Sequence, residues 1–134
     1  HQQFEGPVGY FTLANDAIKL NDSEKFELGF GEQVELAAFP AVKIGRLAVH
    51  QDLHRKGVGV VLMTLLLGDI LNTAGLSAAR LIVVDADNDD AVLRFYEKLG
   101  FETSLWAEEM ARNHTKKRAK PQTIKMHRDV FKGL

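Results

Sequence analysis

A β-branched, apolar run, V-K-I-G-R-L-A-V at 42 to 49, hands over through a short polar stretch to the loop H-R-K-G-V-G at 54 to 59 and then to a long apolar segment, Val58 to Leu71. The first run reads as a buried central strand, because branched and apolar side chains pack best on a pleated surface covered on both sides. The later segment is interrupted by Thr64, Gly68 and Asp69 and falls short of the roughly 20 residues that cross a bilayer, so it reads as a buried helix ending near Gly75. The order strand, glycine loop, helix commits the chain to a mixed α/β architecture. Where a strand gives way to a helix, backbone N–H groups point outward unpaired and the helix dipole favours an anion, while glycine lets that anion approach the backbone. Neither the spacing of a Walker loop nor G-x-G-x-x-G is present. Two readings remain: a short phosphate cradle with Arg55 and Lys56 inside it, or two glycines making a tight turn.

Strand and helix signals alternate on either side of this unit. Val8, Tyr10, Phe11 and Leu13 predict a strand, Asn15-Asp16 a turn, and Ala17 to Leu20 its hairpin partner. Ser23 to Phe30 reads equally as a helical turn or a loop, and Phe39-Pro40 disfavours helix just before the central strand. A-R-L-I-V-V at 79 to 84 predicts a second buried strand, followed by an Asp/Asn-rich loop. A helix begins at Asp89 or Asp90, either of which can cap it, and stops at Gly100; Val92, Phe95, Tyr96 and Leu99 form its apolar stripe. Phe101 to Leu105 and Thr123 to Val130 read as final strands joined by a polar, basic loop from Ala107 to Pro121.

Composition narrows the function classes. Seventeen Lys and Arg stand against eighteen Asp and Glu in 134 residues, a net charge of −1, so bulk charge gives no case for nucleic-acid binding. Local charge does: Met110 to Arg128 holds seven basic residues and no acid, which reads as a solvated surface or as a basic rim for a phosphate-rich partner. With no cysteine there are no disulfides, thiol nucleophiles or Cys-based zinc sites, which fits a reducing, cytoplasmic setting. Asp85, Asp87, Asp89 and Asp90 crowd one loop, but a calcium loop beginning at Asp85 would need glycine at 90 and glutamate at 96, so no metal is expected. The length suits one domain, 1–134. The chain opens at His1 with no basic-then-apolar leader, so no secretory signal is expected; a mature start, a truncation and a tag remnant all stay open.

The stretch L-A-V-H-Q-D-L-H-R-K-G-V-G-V at 47 to 60 resembles the acetyl-CoA motif of the GCN5-related N-acetyltransferases (GNAT), with His54 at the Q/R position of Q/R-x-x-G-x-G/A. F-Y-E-K-L-G-F at 95 to 101 is similar to the second motif of that family. The resemblance implies a mixed, mostly antiparallel sheet flanked by helices, whose central parallel strands splay to admit the pantetheine arm of acetyl-CoA. It implies that Leu47, Ala48 and Val49 line that arm, that the loop His54, Arg55, Lys56, Gly57, Val58, Gly59 and Val60 holds the pyrophosphate, and that Asp89, Phe95 and Tyr96 complete the coenzyme site.

By the same resemblance Tyr96 is the general acid that protonates the departing thiolate; read from its stripe alone, it is a core aromatic with a polar tip. No carboxylate interrupts the central strand where several members of the family carry a glutamate base. A base-poor site suits an α-amine, whose reference pKa near 8 leaves it partly neutral at pH 7, better than a lysine near 10.4. His50, His54 and Asp85 stay open as bases or ordinary loop residues. The activity expected is therefore acetyl transfer from acetyl-CoA to a primary amine by direct attack, the acceptor being a small molecule, a peptide or a charged tRNA. G-R-L-A-V-H-Q-D-L-H-R-K-G-V-G is also similar to the subgroup that acetylates aminoacyl-tRNA as toxins, which implies an antitoxin partner. A non-catalytic CoA-binding module is the rival reading, a homodimer is a general expectation, and no membrane association is expected.

Overall fold

The glycine, capping and branched-residue signals resolve into five strands and four helices in a computed structural model that describes residues 9–30, 37–49, 57–73, 79–114 and 121–133. In chain order these are β1 Gly9–Ile18, α1 Asp22–Glu27, β2 Phe39–Val49, α2 Val58–Thr73, β3 Leu81–Asp87, α3 Asp90–Lys98, β4 Glu102–Thr103, α4 Leu105–His114 and β5 Thr123–Asp129. They form one sheet in the order β1-β2-β3-β5-β4. Only β2 and β3 run parallel; the other three pairings are antiparallel, which gives the mixed, mostly antiparallel sheet that the sequence implied.

Alternation along β3 builds a core on each face. Ile82, Val84 and Ala86 point to one side, where Met63, Leu66, Leu67 and Ile70 of α2 and Tyr96 and Leu99 of α3 meet them with Phe101 and Met126. Leu81 and Val83 point to the other, where they pack with Ile18, Leu20, Phe39 and Ala41 under Leu28 and Phe30. The sheet therefore has an α2/α3 face and an α1/α4 face. Asn21 caps α1 by accepting from the Glu24 N–H while Glu24 accepts from the Asn21 N–H, the reciprocal pattern of a capping box. Asp89 caps α3, and Gly100 follows that helix at φ +89°.

Two expectations fail. No hairpin turns at Asn15-Asp16: both residues lie inside β1, facing Val42 and Ala41 of β2. The ten-residue strand finds its ladder in the buried central strand, and on a sheet edge polar side chains can stay in water, so nothing forces a turn there. The basic connection is not a loop throughout, because α4 occupies Leu105–His114 and β4 shrinks to Glu102–Thr103. Ser104 stops that strand and starts the helix, its hydroxyl accepting from the Ala107 N–H at 3.2 Å and its carbonyl from the Glu108 N–H at 3.1 Å. Smaller differences follow the same logic: β3 runs on through Asp85 to Asp87 because β5 pairs with it over that length.

Candidate active site

β2 and β3 pair over only four rungs, Ala41 with Leu81 through Ile44 with Val84. Above Ile44, β2 continues to Val49 with β1 as its described partner, while β3 continues to Asp87 with β5. The two parallel strands part at Gly45. There the β1 register shifts, Leu13 facing Ile44 and Thr12 facing Arg46, so that Gly45 is an extra residue on β2. Such a bulge bends its strand and sharpens the twist. It also resets the alternation: Ile44 and Leu47, three apart, both pack toward the α2/α3 core. A Cβ at 45 would come 2.8 Å from the Thr12 Oγ1. Beyond Ile44 and Val84 the described strands no longer pair, and Leu47, Ala48 and Val49 belong to the stretch of β2 past that point.

α2 follows the end of β2. Gly57, at φ +76°, precedes it, and its carbonyl accepts the Val61 N–H at 3.2 Å. Among the described residues, a side chain at 57 would meet no atom within 4 Å. Val58 and Gly59 are half-buried and Val60 is exposed, all in the first turn. His50, His54, Arg55 and Lys56 lie outside the described residues.

On α3, Tyr96 is 7% exposed and edge-on to both Phe95 and Phe101, with ring centroids 5.1 and 5.5 Å away. Burial, with a smaller contribution from Asp87, pushes its hydroxyl above the usual tyrosine range. The group therefore holds its proton at neutral pH. Phe95 is half-buried against the same core. The Asp89 Oδ1 accepts the Ala91 and Val92 N–H groups at 2.8 and 3.3 Å, which makes this carboxylate the cap of α3.

Asp85 lies on the α1/α4 face, one residue beyond the last parallel rung. Lys43 Nζ is 2.7 Å from one of its oxygens and Lys125 Nζ 3.7 Å from the other. Burial opposes ionisation of Asp85, but the Lys43 hydrogen bond and the charges of both lysines outweigh it and hold the carboxyl below its ordinary range. A carboxylate so held is a poor proton acceptor, which argues against Asp85 as a base. Asp16 and Asp87 add further negative charge nearby, so this face is mixed rather than simply basic. Arg128 does not belong to a basic rim: it is 2% exposed, and its guanidinium donates to the Leu99, Asp129, Lys132 and Gly133 carbonyls.

One buried acid escaped the reading of the sequence. Glu24, 3% exposed, accepts from the Leu105 and Trp106 N–H groups at the start of α4 and sits 2.7 Å from His127 Nε2 on β5. The pattern N-x-x-E at 21 to 24 carried the signal for α1, but nothing local announced the far partners. Among the described residues, no group of three or more His, Asp or Glu could hold a metal ion, and no helix is long and apolar enough to cross a membrane.

Comparison with known proteins bears on this geometry. The acetyltransferase (GNAT) domain family matches residues 8–103. No match is found among curated proteins. Among solved structures, AtaT complexed with acetyl-methionyl-tRNAfMet superposes with a TM-score of 0.67 at 18% identity, covering 92% of this chain and 62% of that one. A mutant of KacT gives 0.66 at 17%, covering 92% and 62%. AtaT bound to acetyl-CoA and the C-terminus of the antitoxin AtaR gives 0.59 at 18%, covering 92% and 59%. The chain thus spans about three fifths of the length of these proteins, and at such identities the likeness speaks for the fold. With the family matched over most of its length and the central strands parted as that fold requires, the chain belongs to the GNAT acetyltransferases.

Proposed function

We propose that this chain binds acetyl-CoA in the opening between β2 and β3 and transfers the acetyl group directly to a primary amine, with Tyr96 as general acid. The observation that carries the proposal is the end of parallel pairing at Ile44 and Val84. An extended arm fits between strands that have parted, and the amides that open α2 beside Gly57 suit a diphosphate. AtaT, a structural neighbour, has been solved with acetyl-CoA bound.

In the reaction, the amine nitrogen attacks the thioester carbonyl carbon, the C–S bond breaks, and the sulfur leaves as a thiolate. Tyr96 gives its hydroxyl proton to that thiolate, water takes the surplus proton of the amine, and solvent returns a proton to the Tyr96 phenolate, which closes the cycle. Holding both reactants in register supplies most of the rate, as it does wherever a bimolecular step is made effectively unimolecular. No acetyl-cysteine intermediate forms, since the chain has no cysteine to carry one.

The acceptor we favour is the α-amine of an aminoacyl-tRNA. Two things support it: the likeness to AtaT solved with acetyl-methionyl-tRNAfMet, and a central strand that carries no carboxylate base from Val42 to Val49, which suits an amine already partly neutral. An antitoxin partner belongs to the same reading, since AtaT has also been solved with AtaR. Mass spectrometry of acetyl-CoA incubated with charged tRNA, free amino acids, peptides and polyamines should show product on charged tRNA. Tight CoA binding with no acetylated amine anywhere would favour a non-catalytic CoA module. Calorimetry on Gly57→Glu should find CoA binding lost; unchanged affinity would remove the loop from the coenzyme site.

A further inference from the structure

α2 is apolar on the side it turns to solvent as well as on the side it buries. Met63, Leu66, Leu67 and Ile70 face the core, and the helical spacing puts Val61, Leu65, Gly68 and Asn72 on the opposite side. Val61 is 59% exposed and Leu65 63%, with Val60 and Leu71 exposed on one flank. Asp69, on the other flank, is the only charged residue of the helix. A helix that borders water turns polar residues outward, whereas one that is apolar all round is normally covered. β1 adds to the same surface. Phe11 and Leu13, 36% and 46% exposed, pair with Leu47 and Ile44 and so share the α2 side of the sheet.

We infer that this face of α2 is where a second copy of the chain docks, the two helices running antiparallel about a twofold axis. Shape, charge and area each favour that occupant. Leu65 projects as a knob, and at Gly68, one turn further on, an added Cβ would meet nothing within 4 Å among the described residues. About an axis between those two positions, Leu65 of each copy seats over Gly68 of the other, so the surface fits itself. α2 carries no lysine or arginine to receive an acidic partner and a single acid to receive a basic one. Antiparallel helices set the positive N-terminal end of each beside the negative C-terminal end of the other. In this register Asp69 lies across from position 64, in the N-terminal half of the other helix, and the two acids stay apart.

Area sets the strength. At about 100 Å² for each fully exposed side chain and roughly half exposure, the four α2 side chains with Phe11 and Leu13 offer about 300 Å² per copy. That is the size of a patch with a use, yet well below the roughly 800 Å² per partner of a tight complex, so the pair is weak and reversible. It also leaves both glycine turns open, since the two N-terminal ends of α2 then lie about 25 Å apart along the helix axes. The inference therefore stands whether or not the chain transfers acetyl groups.

Sedimentation velocity of the full chain over a range of concentrations tests the pairing. The wild type should pass from monomer to dimer with a dissociation constant in the micromolar range; a chain still monomeric at about 1 mM overturns the inference. Leu65→Lys and, separately, Gly68→Gln should each weaken the dimer about tenfold or more. Neither position is buried, so the thermal midpoint should hold for the first variant and rise for the second, where a better helix former replaces glycine. A dimer that both changes leave intact lies on another face, which also overturns the inference. Because the chain has no cysteine, the register can be read by cross-linking. Oxidation of the Val61→Cys, Asn72→Cys double variant should link two chains, positions 61 and 72 being opposite each other in the antiparallel pair, and Val61→Cys alone should link few. Efficient linking through Val61→Cys alone would mean parallel helices and overturn the twofold arrangement.

Discussion

At Gly57 the backbone takes φ +76° while no described atom lies within 4 Å of where a side chain would begin, so conformation is what the described structure gives as the reason for glycine there. Gly57→Ala should therefore cost about 1 kcal/mol, the usual penalty for an L-residue in the left-handed region, with no added clash. Urea denaturation measures it; a loss several times larger would mean a neighbour that the geometry does not contain. Tyr96 is the opposite case, a side chain whose neighbours define it. Burial pushes its hydroxyl above the ordinary tyrosine range, so the proton is held more tightly than on a free side chain. Tyr96→Phe should leave CoA affinity intact and slow turnover by about a hundredfold or more, the range of general acid catalysis. Wild-type turnover at every pH would return Tyr96 to the core it visibly belongs to.

Among the elements, Arg128 closes α3 as much as Gly100 does. Its Nε donates to the Leu99 carbonyl at 2.8 Å and its Nη2 to the Lys132 carbonyl at 2.6 Å, at a position almost free of water. Arg128→Met should destabilise the fold by about 2 to 3 kcal/mol, because buried carbonyls lose their donors and nothing replaces them. Thermal unfolding tests it, and a change within a few tenths would mean that water satisfies those carbonyls. Helix α3 was legible in the sequence because its stripe, its Asp89 cap and its terminal glycine are all local. So were the strand that ends at Val49 and the helix that opens after Gly57. What misled was a partner far along the chain. Asn15-Asp16 looks like a turn only until β2 is there to pair with it, and the 107 to 121 segment reads as loop if its charge is weighed above the Ser104 cap and the helix-forming L-W-A-E-E-M-A-R that follows. Of the candidate site, Tyr96 and the glycine turn were readable for the same local reason, whereas Glu24 was not, since three of its contacts lie about eighty or more residues away.

For the molecule as a whole, two paired carboxylates set the response to acid. Asp129 is held below its ordinary pKa: burial opposes this, but the two-pronged contact with Arg80, at 2.9 Å for each prong, and the Phe131 N–H prevail. Asp85 is lowered by its lysines in the same sense. A carboxylate with a depressed folded-state pKa stabilises the fold above the unfolded value, about 3.9, and that contribution disappears as pH falls through the folded value. Asp129→Asn should thus lower stability by about 1 kcal/mol near neutrality and flatten the decline below about pH 4. Parallel acid limbs in the two proteins would show that the pair contributes nothing.

The extra residue at Gly45 carries one more implication. Whether a crevice closes when empty depends on whether its walls can re-join, and here the inserted residue works against it: the alternation of β2 beyond Gly45 is out of step with that of the lower rungs. The gap is written into the covalent chain. For the coenzyme binding proposed above, such a gap would need no ladder unzipped on arrival and none re-formed on departure.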